Sequence, residues 1–112
     1  MPQWFVRGLR RGVVTTRYPA RPEPSAALLP TPPAFRPERL TREAADTLAA
    51  ICPSLALRRE GDVLMFDAGA CTACGQCRAA EPDAMIASGE FELAVMSRSA
   101  LIKRIPLLGS DR

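Results

Sequence analysis

The sequence predicts an α+β fold in which short helices and small antiparallel hairpins form one domain behind an N-terminal helix and an extended arm. The chain has 112 residues, a length that suits one small domain with an appendage. Seven prolines from residue 19 to residue 37 exclude a regular helix there. A turn signal at Glu60-Gly61-Asp62 lies between two apolar segments, which is typical of a hairpin. The predicted organisation is head 1–18, arm 19–39, compact domain 40–96, and C-terminal helix and tail 97–112.

The head, residues 1–18, has the pattern of a basic amphipathic helix. Its apolar residues recur at helical spacing, and four arginines in the head and one just after it precede the first acidic residue, Glu23. We expect this helix to contact a partner subunit or an anionic membrane surface. The alternative is that its apolar stripe packs on the protein's own domain. The apolar stripe is Trp4, Phe5, Leu9 and Val13, and the arginines are Arg7, Arg10, Arg11, Arg17 and Arg21.

The arm, residues 19–39, is predicted to be extended and polyproline-like because of its prolines. It also carries apolar residues, Leu28, Leu29 and Phe35, which are unusual in a linker surrounded by water. We therefore expect the arm to run along a protein surface. The alternative is a flexible spacer.

The compact domain is predicted to begin near Leu40 with a helix. Thr41 is a good N-cap, the alanine-rich run to Ile51 favours helix, and Pro53 ends it. Two strands are then expected. They span residues 55–59 and 63–67.

After the hairpin, the sequence predicts one helical turn, one extended piece and one short C-terminal helix. Residues 76–80 can form one helical turn, which Pro82 stops. An extended piece is expected at 91–95, and a short helix from about Ser97 to Lys103.

Composition excludes several classes of function. The formal charge of +3 and an aromatic content of 5% argue against nucleic-acid binding. The chain has no histidine, no nucleophile–base set and no phosphate-binding glycine loop, so we expect no small-molecule substrate and no catalysis by this chain alone. No apolar stretch reaches membrane-spanning length. Arginines interrupt the N-terminal apolar residues, so no signal peptide is predicted and a reducing compartment is expected.

Three cysteines within seven residues, Cys71, Cys74 and Cys77, predict a metal centre. Thiolates are the soft ligands that iron–sulfur clusters require, and Gly75 allows the tight turns of a cluster-binding loop. Structural zinc usually takes paired ligands from two short knuckles, so zinc is the weaker interpretation. The third interpretation is that the cysteines bind no metal.

The bacterial ferredoxin run C-x2-C-x2-C-x3-C-P accounts for the fourth cysteine. In that run the first three cysteines bind one cluster and the fourth binds the other cluster of the pair. Here position 81 is Glu81, whereas Cys52-Pro53 matches the end of an upstream copy. The sequence therefore predicts one 4Fe-4S cluster. Its ligands are Cys52, Cys71, Cys74 and Cys77.

The other ligand set of that pattern has lost all of its thiolates. Its positions are occupied by Arg42, Ala45, Leu48 and Glu81. We expect Leu48 and neighbouring alanines to fill the volume of the missing cluster. Two alternatives remain open: Cys52 is a small buried apolar residue, or Glu81 is an oxygen ligand of the remaining cluster.

The chain resembles a two-cluster ferredoxin-like subunit of the membrane-bound group 4 NiFe hydrogenases, including formate hydrogenlyase, and of respiratory complex I. The resemblance rests on the phrases WFVRGLRRGVVTTRYP, CPSLAL, CTACGQC with Glu81-Pro82, and GEFELAV. It implies a ferredoxin-like fold, with two similar halves, and an electron relay at the cytoplasmic face of the cell membrane. It also implies that the N-terminal helix, arm and tail contact other subunits of the complex. The rival interpretation is a structural adaptor whose metal centre only stabilises the fold.

Overall fold

The computed structural model describes residues 2–23 and 29–109, and it shows a mixed α+β fold. Outside the described residues lie Met1, residues 24–28 of the predicted arm, which include Pro24 and Leu28, and the last three residues of the tail. The helices are α1 Gln3–Arg11, α2 Arg42–Ile51 and α3 Gln76–Ala80. The strands are β1 Pro33–Phe35, β2 Leu57–Glu60, β3 Val63–Asp67, β4 Met85–Ala87 and β5 Ile102–Pro106. The predicted α+β class is confirmed.

The strands form two small antiparallel sheets. β1 pairs with β4, and β3 lies between β2 and β5 in the other sheet. Along the chain, β1-α2-β2 is followed by β3-α3-β4, so the domain consists of two successive β-α-β units. The two outer strands of this series pair with each other, and so do the two inner strands.

The core lies between α2 and the three-stranded sheet. Its largest fully buried side chains are Leu40, Leu48, Leu64, Phe66 and Met85. The middle three residues of β3 are all buried, because this strand has a neighbour on each edge and is covered on both faces.

Helix α2 forms as predicted. The Thr41 hydroxyl accepts a hydrogen bond from the Ala44 N–H at 3.1 Å, which satisfies one of the free donors of the first turn. Ala44, Ala45 and Leu48 lie on the buried face. The helix ends at Ile51, ahead of Pro53.

The predicted hairpin is present, with β2 beginning at Leu57 rather than Leu55. Leu55 has φ of +56°, outside the extended region, so it cannot belong to the strand. Gly61 in the turn has φ of +61°, a conformation that glycine adopts without strain.

One prediction for the C-terminal part, the helix from about Ser97 to Lys103, is wrong. Residues 91–95 contain no strand, and β4 forms earlier, at residues 85–87, where β1 supplies a hydrogen-bonding partner. In place of a helix from Ser97 to Lys103, Arg98–Leu101 form a 3-10 turn and Ile102–Pro106 form β5. Pairing with β3 decides this, because the free edge of that strand satisfies the backbone of residues 102–106.

Part of the predicted arm belongs to the compact domain. β1 lies within it and pairs with β4, so the packed structure starts before Leu40. Thr31 is buried, and its hydroxyl accepts a hydrogen bond from the Gly89 N–H at 3.2 Å. The Ser88 hydroxyl donates to the carbonyl of Pro32. The residues around β1 thus run along the protein's own surface.

Helix α1 forms at the N-terminus and ends earlier than predicted, at Arg11. Gly12 caps it with φ of +65°, and four β-branched residues follow, which favour extended backbone. No residue of α1 is buried, and Trp4 and Leu9 are 73% and 70% exposed. The helix does not pack on the domain, contrary to the alternative considered for its apolar stripe. No helix among the described residues is long and apolar enough to cross a membrane.

Candidate metal centre

The loop between β3 and α3 carries Cys71 and Cys74, and the first turn of α3 carries Cys77. The first turn of the loop is closed by the Asp67 carbonyl, which accepts hydrogen bonds from the Ala70 and Cys71 N–H groups at 3.1 and 3.2 Å. Ala73 and Gly75 have φ of +54° and +79°. These left-handed residues curl the backbone between Cys71 and the start of α3, which carries Cys77.

Cys52 reaches the same region from the end of α2. It is the C-cap residue, and its N–H donates to the Leu48 carbonyl at 3.2 Å. The packing of α2 against β2 fixes the position of this helix end. The Ser54 Oγ lies 3.6 Å from the Cys52 Sγ.

All four cysteines line one concave pocket. Its empty space is about 410 Å³, including the mouth open to solvent. Cys52, Cys71 and Cys77 are partly buried, and Cys74 is exposed. The pocket wall is completed by Thr31, Pro33, Pro53, Ser54, Ala56, Leu57, Phe66, Thr72, Ala73, Gly75, Gln76 and Arg78.

Glu81 does not line this pocket. It borders a separate, open surface depression together with Asp83 and Ala44. Its backbone N–H donates to the Cys77 carbonyl at 3.0 Å, which closes the end of α3. The geometry therefore favours Cys52 over Glu81 as the fourth ligand.

The donor set at the pocket consists of four thiols. In the parts of the chain that are described, no group of three or more histidine, cysteine or acidic side chains is placed to hold one metal ion. Tetrahedral zinc needs sulfurs about 3.8 Å apart, given Zn–S bonds of about 2.3 Å. Four thiols are the ligand type of a 4Fe-4S cluster and also of a four-cysteine zinc site.

The surroundings of Cys52 and Cys77 shift their pKa values in opposite directions. Burial opposes ionisation of Cys52, but hydrogen bonds from the Ser54 hydroxyl and from nearby backbone N–H groups outweigh it and lower the pKa. Burial raises the pKa of Cys77, and the neighbouring thiols of Cys71 and Cys74 raise it further against an opposing backbone hydrogen bond from Arg78. The sulfur of Cys52 is thus the better prepared to carry negative charge.

The four positions of the lost ligand set do not form a second site. Ala45 and Leu48 are fully buried in the core, and Arg42 is exposed and pairs with Asp62. The depression beside Glu81 lies at the surface, outside the packed interior. This arrangement supports the expectation that apolar side chains occupy the space of a second cluster.

Several residues of the pocket wall were not predicted from the sequence. Ser54 lies two residues after Cys52, so proximity to a ligand could have identified it. Thr31 and Pro33 come from the predicted arm and reach the pocket only through the pairing of β1 with β4.

No protein-family model matches the chain, and no curated protein matches it, so the resemblance to hydrogenase and complex I subunits rests on the motifs alone.

Proposed function

We propose that this chain is an electron-transfer iron–sulfur subunit that carries one 4Fe-4S cluster bound by Cys52, Cys71, Cys74 and Cys77. The supporting observation is that cysteines from two distant segments line a single pocket from which Glu81 is absent. Four thiolates are the usual ligand set of such a cluster. The proposed setting is a membrane-associated, multisubunit oxidoreductase of the hydrogenase, formate hydrogenlyase or complex I type.

The proposed fold is ferredoxin-like. The domain consists of two successive β-α-β units, and a doubled cysteine motif fits such a repeat. The outer strands of the two units pair with each other, and so do the inner strands. In this arrangement the end of α2 in the first unit, at Cys52, lies beside the cysteine loop of the second unit. The ligand crossover inferred from the motif follows from that topology.

The pocket places four cysteine sulfurs, which would bind iron as thiolates, beside an apolar wall. When bound, a 4Fe-4S cluster supplies reversible one-electron transfer. Phe66 and Leu57 are buried in the pocket wall and exclude water on that side. The Ser54 hydroxyl, 3.6 Å from the Cys52 sulfur, is placed to donate a hydrogen bond to the thiolate. Cys74 is the exposed ligand, so a redox partner approaches the centre from its side.

The proposed partners are other subunits of such a complex, contacted through α1, the arm and the tail. α1 is fully accessible and presents tryptophan, phenylalanine and leucine beside three arginines. A cytoplasmic location at the inner face of the cell membrane fits this basic, apolar surface.

Anaerobic iron and sulfide determination tests the proposal. The reconstituted protein is expected to hold about four irons and four sulfides per chain, the content of one cubane cluster. Cys52→Ser is expected to lose or damage the cluster, whereas Glu81→Gln is expected to retain it. Loss in Glu81→Gln with retention in Cys52→Ser would overturn the ligand assignment.

A structural adaptor is the second candidate function. The core is small and apolar residues of α1 are exposed, both of which favour a domain that links larger subunits. Electron paramagnetic resonance separates the two candidates. A signal that appears when a low-potential donor is supplied supports electron transfer, and a cluster that stays silent throughout the accessible potentials supports the adaptor.

A further inference from the structure

The C-terminal segment crosses the turn that leads into the cysteine loop. The Ala68 N–H donates to the Leu101 carbonyl at 3.0 Å, which joins the end of β3 to the 3-10 turn. From the same turn, Arg98 Nη2 lies 2.6 Å from Asp67 Oδ2. A segment that lacks cysteines therefore contacts the loop at its base.

Asp67 connects Arg98 to the first cysteine. Its Oδ1 accepts a hydrogen bond from the Gly69 N–H at 2.9 Å, and its backbone carbonyl accepts from Ala70 and from Cys71. Both carboxylate oxygens and the carbonyl of one residue are thus engaged. Fixing the Asp67 side chain fixes the turn from which Cys71 emerges.

Gly69 leaves the space that Arg98 occupies. A methyl group on Gly69 would overlap Arg98 Nη1 and would lie 3.1 Å from both Asp67 Oδ1 and Leu101 Cδ1. The guanidinium therefore lies against the backbone of the turn. The Asp67 side chain is 23% exposed and the Arg98 side chain is 65% exposed, so water screens this ion pair mainly from the arginine side.

We propose that Arg98 is a positioning residue for the metal centre, which holds the turn 67–71 so that Cys71 is presented to the cluster. This inference rests on the proposed function, because it assigns Arg98 a role toward the same cluster. Arg98 is outside the pocket wall and acts through Asp67 and the loop backbone. The C-terminal segment is then part of the cluster-binding structure as well as an added strand.

Cluster release to an iron chelator under anaerobic conditions tests this role. The variants are Arg98→Ala, Arg98→Lys and the control Arg104→Ala, which removes the same charge from the exposed face of β5. We expect roughly twofold to fivefold faster release in Arg98→Ala, the effect of losing an ion pair whose arginine is exposed to solvent. Lysine is expected to restore part of the retention, and Arg104→Ala should behave like the unaltered protein.

The resonance spectrum of the reduced cluster gives a second readout that general destabilisation would not change. A misplaced Cys71 is expected to alter the line shape in Arg98→Ala and in Asp67→Asn, and combining these two substitutions should add little to either alone. A stable cluster with unchanged release and line shape in Arg98→Ala overturns the positioning role alone. An unaltered protein that takes up no iron and sulfide overturns the proposed function, and the positioning role with it.

Discussion

At the residue scale, the site depends on what surrounds each sulfur. Cys52 lies at a helix end with hydroxyl and N–H donors nearby, whereas Cys77 lies in a more apolar position, and their pKa values shift in opposite directions accordingly. The cysteine spacing predicted the ligand candidates. The surroundings that distinguish one sulfur from another depend on where the tertiary structure places the residues after Cys52, such as Ser54.

Ser54→Ala is expected to lower the reduction potential of the cluster. The hydroxyl lies 3.6 Å from the Cys52 sulfur, and hydrogen bonds to cluster sulfurs stabilise the more negative, reduced state. Losing a weak bond of about 0.5 to 1 kcal/mol corresponds to a decrease of roughly 20 to 40 mV. A redox titration followed by paramagnetic resonance measures it.

Thr47→Ala is the matched control for this measurement. It also removes a hydroxyl, but that hydroxyl donates to the Glu43 carbonyl on the exposed side of α2. Its potential should equal that of the unaltered protein. A potential that rises in Ser54→Ala would contradict the assigned hydrogen bond.

At the scale of elements, the sequence predicted the helix and the hairpin correctly because each has residues that mark where it begins or ends. Thr41, Pro53 and Gly61 mark the limits of α2 and of the hairpin, and the structure confirms both. β1, β4 and β5 lack such signals. They are short, and each becomes a strand because a partner strand satisfies its backbone, which a pattern along the chain does not show.

Leu48→Ala is expected to destabilise the domain strongly. Leu48 is fully buried between α2 and the sheet, and removing such a side chain costs about 2 to 5 kcal/mol. For a domain of this size that corresponds to a decrease of roughly 10 °C or more in the unfolding midpoint. Circular dichroism at one fixed heating rate measures the change.

Leu55→Ala provides the comparison, because it removes the same atoms from a leucine that is 73% exposed. Its midpoint should stay within about 2 °C of the unaltered protein. Equal losses in the two variants would contradict the placement of Leu48 in the core and the idea that it fills the space of a lost cluster.

At the scale of the whole molecule, the chain is elongated. The radius of gyration is 19.2 Å, and the extents are 70 × 28 × 26 Å, whereas a compact chain of this length has a radius of about 13 Å. The unpacked α1 accounts for part of the difference. The link back to the domain includes Tyr18, whose ring lies 5.3 Å from that of Phe91 and whose hydroxyl contacts Glu92.

Vesicle binding tests the proposed membrane association of α1. Trp4 is the single tryptophan, so its fluorescence reports on this helix alone. A shift to shorter wavelength is expected with vesicles rich in phosphatidylglycerol and not with phosphatidylcholine alone, since arginines attract anionic lipid. The shift should weaken as salt is raised.

Two variants separate lipid contact from a role in the domain. Changing Arg7, Arg10 and Arg11 to Gln should abolish the shift. Deleting residues 2–12 should leave the cluster absorption unchanged, because no residue of α1 is buried and Tyr18 is retained. A shift of equal size with both vesicle types would argue against the charge-based association.

The sequence by itself determined the chemistry that this protein can support. Its cysteine spacing, its lack of histidine, the boundaries of α2 and the hairpin turn are all local properties, fixed by residue type and separation along the chain. Only the tertiary structure decided that Cys52 joins Cys71, Cys74 and Cys77 at one pocket. It also decided that part of the arm forms a wall of that pocket and that Arg98 of the C-terminal segment contacts Asp67 at the base of the loop. These depend on pairing between strands far apart in sequence, and such pairing is settled by backbone hydrogen bonds and shared burial in three dimensions.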